Sequence, residues 1–446
     1  MKRLDAGVHA ALLALDPDSA TDWASIADLL RIARDRCPGA DTGRLVREIG
    51  RLHVRGAIAL AVHDAGEILC DLASNSTLSG FDLALHDAVT RYRLSRFTLV
   101  RRADRGLRAE SLVAGTCLRI RAAELGAVLA ALHEPAEEAD VVRTVWPRAA
   151  SVLRACLRLM AAGGVIAPVD EDGLLPEDRE PVLPMRDPHD LLIHSRSRRG
   201  LSPLPVGATF RHASVVPPLP ALRPAWPGRQ LPLPRPDLHR LARTDPPLVV
   251  AMERRASGRE WADQPLTVEA VGELLYRVFR VRRLVPRDPA DPHSYEVSMR
   301  PLPSAGAAHD LEVYLAAGRV TRVGRGLFHY DPMRHTVTEV TADPRTLSTI
   351  LASAQHSASA MAEPPLVVVL ASRFARLGWK YEGMAYAATL KNVGVAYSAL
   401  YLATTAMGLA GCALGTGDAV AFATATRVRP HVESPVGEFI VGPVRT

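Results

Sequence analysis

Metal-ligand spacing is missing from this sequence. The five cysteines, Cys37, Cys70, Cys117, Cys156 and Cys412, stand far apart and are odd in number. There is no C-x-x-C pair and no Cys/His cluster, which excludes a zinc site built on the usual spacings. His189 and His194 have no third ligand nearby and read as loop histidines. This cysteine usage fits a reducing, cytoplasmic setting. Aromatic side chains are sparse, at 5% of residues. A P-loop is absent, and the glycine pair Gly415 and Gly417 lacks the third glycine and the preceding strand of a dinucleotide fingerprint. The opening MKRLDAGVHAALLAL is broken by Asp5 and His9, and no small-residue cleavage site follows, so no signal peptide is expected. Charge is missing from one long stretch, residues 392–417, which is long enough to cross a bilayer. That run is rich in Ala, Gly and Thr, holds Asn392, Tyr397 and Tyr401, and has no second run to match it. The expectation is a buried core helix and no membrane association.

What is present is the composition of a folded protein of about three domains. Hydrophobic residues make up 48% and charged residues 23% of 446, with 34 prolines. A net charge of +6 and a pI near 9.2 favour anionic partners such as a phosphate-bearing cofactor, an acidic peptide or nucleic acid. Nucleic acid is disfavoured, because the one recognition-helix candidate, Leu45–His53, carries only Arg47 and Arg51.

Hydrophobic periodicity predicts helices over Val8–Leu15 and Asp22–Arg36, the latter with Ile26, Leu29, Leu30 and Ala33 on one face. A third helix, capped by Asp41 or Thr42, runs through His53 with Leu45, Ile49 and Leu52 as its stripe. Gly56 ends it, and Ala57–Val62 and Ile68–Leu72 alternate around Asp64-Ala65-Gly66 as a hairpin. Three helices and a wing give a winged-helix pattern over residues 1–85. A degenerate copy is expected over 86–180. It has strand-like runs at Tyr92, Leu94, Phe97 and Leu99, a helix at Ala123–Leu132, and another helix opened by Pro147. REIGRLHVRGAIALAV and RACLRLMAAGGVIAPV share Arg51/Arg158, Leu52/Leu159 and Gly56/Gly163. Residues 181–246 read as an extended proline-rich linker. Residues 247–446 read as an α+β domain. Helices are expected at Leu248–Arg255, Val268–Arg277, 379–391, 392–407 and 418–427. Strands are expected at Leu311–Leu315, Val320–Val323, Thr336–Val340, Leu366–Ala371 and Glu438–Val441.

Three segments of this domain could carry chemistry. Arg254, Arg255, Ser257 and Arg259 can wrap a phosphate dianion, or form a solvated basic turn. The loop Arg300–Ala307, with Pro303, Ser304, Ala305 and Gly306, keeps its side chains small enough for backbone amides to approach a flat ring, or is a plain loop. Gly408–Gly417 is a helix end and tight turn, or a backbone cradle for a cofactor.

The order RRASGREW, PSAG, GRGLFHYDP, KYEGMAYAATLKNVG, a glycine loop and VGEFIVG resembles the nitroreductase-like flavoproteins. Within them it is similar to the azoline dehydrogenases of ribosomal peptide biosynthesis, the SagB-type and cyanobactin-oxidase group. LLIHSRSRRG and VGATFRH, within Leu191–His212, resemble a stretch preceding the catalytic domain there. The resemblance implies a mixed sheet flanked by helices and FMN bound between two subunits of a homodimer. It places Arg254, Arg255, Ser257 and Arg259 at the phosphate and ribityl side, Pro303, Ser304, Ala305 and Gly306 near the ring, and Gly411 and Cys412 opposite. Two positions depart from the pattern: Ala256 stands where serine is usual, and Asn392 where aspartate is common, with a helix cap as its expected role.

The group's Lys-Tyr pair maps onto Lys380 and Tyr381. The implied reaction oxidises a thiazoline or oxazoline of a precursor peptide to the azole. The Cα proton goes to a base, a hydride goes to the flavin, and dioxygen is the final acceptor. Lysine serves as that base where burial lowers its pKa from about 10.4 toward roughly 7–8, with Tyr381 holding it or relaying the proton. The paired N-terminal units resemble leader-peptide recognition domains, and a cyclodehydratase is an expected partner. Two rival readings are a nicotinamide-dependent nitroreductase of small molecules and a non-catalytic peptide-binding adaptor.

Overall fold

The computed structural model describes residues 6–13, 25–74, 91–341 and 343–445. They form two compact units that divide between Pro205 and Val206.

The N-terminal unit opens with helices α1 (Ala6–Leu13), α2 (Ile26–Arg36) and α3 (Thr42–Val54). The expected ends at Leu15 and Asp22 lie outside the described residues. Ser25 caps α2 and Asp41 caps α3 through backbone amides three residues on, as short polar side chains do at a helix start. Strands β1 (Leu60–Asp64) and β2 (Glu67–Ser74) pair around Ala65 and Gly66, whose φ values of 48° and 84° make the hairpin turn. Then come β3 (Arg91–Leu94), β4 (Thr98–Arg102), β5 (Leu107–Ser111), β6 (Thr116–Ile120), α4 (Ala123–Ala131), β7 (Ala136–Glu137), α5 (Glu138–Val145), α6 (Ala150–Ala162) and β8 (Ile166–Pro168). Short helices α7 (Pro176–Arg179) and α8 (Pro188–Arg196) follow.

The boundary read at 85/86 does not separate two cores. Strand β2 hydrogen-bonds β6 in a five-stranded sheet of order β1-β2-β6-β5-β4, and one hydrophobic cluster runs from Val8 to Ile166. Fully buried Asp71 on β2 reinforces that seam by accepting from Arg119 at 2.6 Å and Arg121 at 3.1 Å. A second sheet, β7-β3-β8, takes its middle strand from upstream of the helices it packs on. Helix α6 starts three residues after Pro147, not at it.

The C-terminal unit draws in the prolines. Residues 206–246, read as part of a linker, contain β9 (Gln230–Pro232) and α9 (Leu238–Thr244). β9 joins the main sheet at its edge, the place where a missing proline N–H is tolerated. The unit continues through α10 (Leu248–Arg254), α11 (Val268–Phe279), β10 (Arg283–Val285), β11 (Val297–Met299), β12 (Leu311–Ala317), β13 (Gly326–Asp331), β14 (Thr336–Thr341) and α12 (Pro344–Ala358). It closes with β15 (Leu366–Arg373), α13 (Ala375–Gly378), α14 (Ala385–Ala406), β16 (Leu409–Ala413), α15 (Ala419–Thr426) and β17 (Glu433–Pro443).

The main sheet has the order β16-β17-β15-β12-β13-β14-β9, with every pairing antiparallel where a mixed sheet is expected from sequence. β15, the LVVVLA run, lies inside it with all eight residues buried. Leu366, Val368 and Leu370 enter a core with residues of α11 and α14, whereas Val367, Val369 and Ala371 enter one with residues of α12 and α15. Two covered faces explain an unbroken apolar strand. Val320–Val323 is a turn; the strand there is β13, within the GRGLFHYDP motif. The charge-free run is the greater part of the single helix α14 and not a second helix beginning at 392. Among the described residues no helix is long and apolar enough to cross a membrane.

One buried carboxyl sets a pH dependence. Glu438 of β17 is 7% exposed and lines a small cavity with Ile350, Leu414 and Phe422. Gly417 leaves room for it, since a Cβ there would overlap the carboxyl. Burial raises its pKa from 4.5 to about 7. Its contribution to stability is therefore full below about pH 4.5 and is lost as pH rises through 7. Glu438→Gln should leave the chemical-denaturation midpoint unchanged at pH 4 and raise stability at pH 8 by roughly 3 kcal/mol.

Candidate functional site

Lys380 and Tyr381 lie in the turn between α13 and α14. They are not on a helix, as the sequence reading has it. Arg376 of α13, 3% exposed, fixes this turn. Its guanidinium donates to the carbonyls of Ala308 (2.6 and 2.9 Å), Glu296 (3.0 Å) and Leu219 (2.5 Å). Burial, with Arg373 and Arg300 adding like charge, lowers its pKa to about 10, so it remains a cation at neutral pH.

The second component is the turn after Ser304. Gly306, Ala307 and His309 have φ values of 60°, 53° and 45°, an unusual run in the left-handed region for two non-glycine residues. Side chains hold it there. Ser304 Oγ accepts from His309 N at 3.1 Å, and Asn392 Oδ1 accepts from Ala305 N at 3.1 Å. Asn392 Nδ2 donates to Asp310 at 2.7 Å, and Asp310 also accepts from Ser372 and Thr389. Asn392 is thus no helix cap. It bridges α14 to the turn, where an aspartate would face Asp310 as a second carboxylate.

The two turns meet at Gly306. A Cβ there would stand 2.7 Å from the Tyr381 hydroxyl, 2.8 Å from Lys380 Nζ and 2.9 Å from the Tyr295 hydroxyl. Lys380 Nζ donates to the Tyr295 oxygen at 2.8 Å, and Tyr295 donates to the Gly306 carbonyl at 2.5 Å. The rings of Tyr295, Tyr381 and Phe210 lie 5.0, 5.3 and 5.7 Å from Nζ. Phe210 belongs to the VGATFRH stretch, which pairs with the turn through Gly207–Glu382 backbone bonds and Phe210 N to Lys380 O. Partial burial pulls the Lys380 pKa down, but the Tyr295 hydrogen bond and the two phenols outweigh it, and the net direction is upward. The lowered value expected from burial alone is corrected by these polar neighbours.

Sequence reading missed Tyr295, Arg376 and Asp310, which sit in segments without a chemical motif, and gave Phe210 of VGATFRH no role. One available signal supports Lys380 itself. Only three of the chain's 54 basic residues are lysines, at positions 2, 380 and 391. Arginine cannot give up its proton, so a lysine at this spot is a chemical choice.

The phosphate candidates form a second cluster about 14 Å farther along α14, nine residues from Asn392. Ser257 shares a 2.9 Å hydrogen bond with Tyr401, and Arg255 lies 5.2 Å over the same ring. Gly258 N donates to the Gly411 carbonyl at 2.9 Å, laying residues 255–259 along β16. Arg254, Arg255 and Arg259 are exposed, and none makes an ion pair among the described residues. Three exposed guanidinium groups without ion pairs among the described residues, and a hydroxyl, suit a phosphate dianion. The glycine loop is strand β16. Gly411 is needed because a Cβ would press on Thr404 and Phe439, and the Cys412 side chain is buried in the core on the α12–α15 face. These two can offer only backbone. Pro303 is exposed, and α14 runs between the two clusters.

Gly306→Ala should keep the fold, at a cost of about 1 kcal/mol from the left-handed backbone. It should also push the three polar heads apart. Thermal melts and a crystal structure of the variant would check both.

Residues 252–442 match the nitroreductase family, and residues 92–202 match the cyanobactin oxidase ThcOx. The nitroreductase-type protein MJ1384 of Methanocaldococcus jannaschii is 26% identical over 162 residues, covering 36% of this chain and 75% of that one. Among solved structures, a nitroreductase-like protein of Ralstonia eutropha is 20% identical, with a TM-score of 0.38 over 55% of this chain and 100% of that chain. A chain of the Escherichia coli microcin synthetase McbBCD complex, solved with truncated pro-MccB17 bound, is 18% identical, with a TM-score of 0.37 over 62% and 100%. Residues 252–442 thus form a nitroreductase-family domain, joined in one chain to a segment, 92–202, that matches the cyanobactin oxidase.

Proposed function

We propose that this protein is an FMN-dependent dehydrogenase that oxidises thiazolines or oxazolines to azoles in a ribosomally made, post-translationally modified peptide. The observation that carries this reading is the meeting of Lys380 and Tyr381 over Gly306 inside a nitroreductase-family unit. The cyanobactin-oxidase match over 92–202 supports the peptide substrate.

The residues present fit FMN. Arg254, Arg255, Arg259 and Ser257 would hold its phosphate, the latter free to donate outward when Tyr401 donates to it. The small residues 304–306 would face its ring, and the backbone of Gly411 and Cys412 would line the other side. When bound, FMN supplies a two-electron acceptor for the hydride that leaves the ring carbon next to Cα, with dioxygen as the terminal acceptor. The Cα proton, acidified by the flanking carbonyl and C=N, leaves to the Lys380–Tyr381 pair. The ammonium form of Lys380 can anchor the oxygen on which charge develops, and the amine form can take the proton.

A homodimer fits the exposed apolar surface. Leu248, Val249 and Met252 of α10 are 65%, 63% and 58% exposed, and Tyr386, Leu390, Gly394 and Ser398 form an exposed i, i+4 stripe on neighbouring α14. Light scattering should give twice the chain mass of 48.1 kDa. The N-terminal unit is proposed to engage the leader of the precursor peptide, with a cyclodehydratase supplying the azoline.

Lys380→Ala and Tyr381→Phe should each retain FMN and lose azole formation. Because the Lys380 pKa is raised, wild-type azole formation should increase as pH rises into the alkaline range. Undiminished turnover in both variants removes the pair from the mechanism. Rapid flavin reduction by NADPH without azole formation would favour the nitroreductase reading.

A further inference from the structure

Tyr295 has a place in this site that no motif assigns. It lies in the 286–296 segment, its ring packs 5.9 Å from Trp379, and Arg376 sits 5.7 Å over its face. A phenol has one proton, and here that proton is spent on the Gly306 carbonyl at 2.5 Å. The oxygen is left as an acceptor aimed at Lys380 Nζ, 2.8 Å away. An acceptor so fixed favours the ammonium over the amine, because the charge-assisted bond is the stronger. Resting on the dehydrogenase reading for the role of Lys380, we propose that Tyr295 is its positioning residue. The phenol, locked onto the Gly306 carbonyl, fixes Nζ at the point where the Tyr381 hydroxyl also arrives and biases Lys380 toward its charged form.

The other charged groups nearby are committed elsewhere. Glu382 pairs with Arg211 at 2.9 Å, Arg376 is bound to three carbonyls, and His293 stacks on Phe210 with ring centroids 4.6 Å apart. The Tyr381 hydroxyl converges on the same region and pushes the Lys380 pKa up less than Tyr295 does. Removing the Tyr295 hydroxyl therefore leaves burial as the principal influence on Lys380, and burial favours the amine. Deletion should lower the pH at which Lys380 loses its proton.

The scarcity of lysine makes this directly measurable. The 446-residue chain labelled with 13Cε-lysine should show three lysine signals, with Lys380 assigned by its loss in Lys380→Arg. In wild type the Lys380 signal should titrate above the ordinary lysine value of about 10.4. In Tyr295→Phe the Lys380 midpoint should move to lower pH. A wild-type Lys380 midpoint at or below the ordinary lysine value overturns the proposal without need of the variant. A variant midpoint equal to wild type overturns it as well. Neither arm uses an azoline substrate, so failure of the dehydrogenase reading would show separately, as wild-type protein that forms no azole.

Discussion

A buried guanidinium holds the site together. Arg376 reaches the carbonyls of Ala308, Glu296 and Leu219, which belong to three segments distant in sequence. Those segments are the strained turn of Gly306, the segment of Tyr295 and the proline-rich stretch that continues from Phe210. A carbonyl buried without a donor is costly, and one planar group with five donors satisfies several at fixed angles. Arg376 stands four residues before Lys380, so the same short helix that gathers the walls of the site also delivers its lysine. Trp379 adds a further tie, donating to the Val216 carbonyl at 2.6 Å.

Helix α14 organises the remainder. Its first half reaches the Gly306 turn through Asn392 and Asp310, and its second half reaches the arginine loop and β16 through Tyr401. The groups proposed to handle the proton and those proposed to hold a phosphate thereby sit at two stations of one rigid element. The buried polar side chains are paired across α14: Thr389 and Asn392 with Asp310, and Thr404 with its own helix backbone. That pairing is how so apolar a helix carries polar residues inside a core.

The elements with strong local signals were legible in the sequence. Asp41 caps the helix that its type predicts, the Ala65-Gly66 turn makes its hairpin, and LVVVLA is a strand covered on both faces. Lys380, Tyr381 and the Ser304–Gly306 loop came from an ordered set of family motifs, and the fold brings them together. What sequence could not supply was the partner set. Tyr295 and Arg376 act through long-range contacts, and nothing in their neighbours' spacing encodes those contacts. The upward bias on the Lys380 proton follows from the same gap, since apolar surroundings alone imply the opposite sign. The single helix across Ala385–Ala406 and strand β16 were masked by glycines at 394, 408 and 411, which break local propensity but fit tertiary packing.

The central claim is that this site removes two hydrogens from an azoline ring. The direct test is mass spectrometry of an azoline-bearing peptide incubated in air with the purified protein, whose visible spectrum has first been recorded. The account predicts a flavin spectrum and the loss of two hydrogens per ring without added nicotinamide. A flavin-loaded protein that leaves the mass of the azoline peptides unchanged would contradict it.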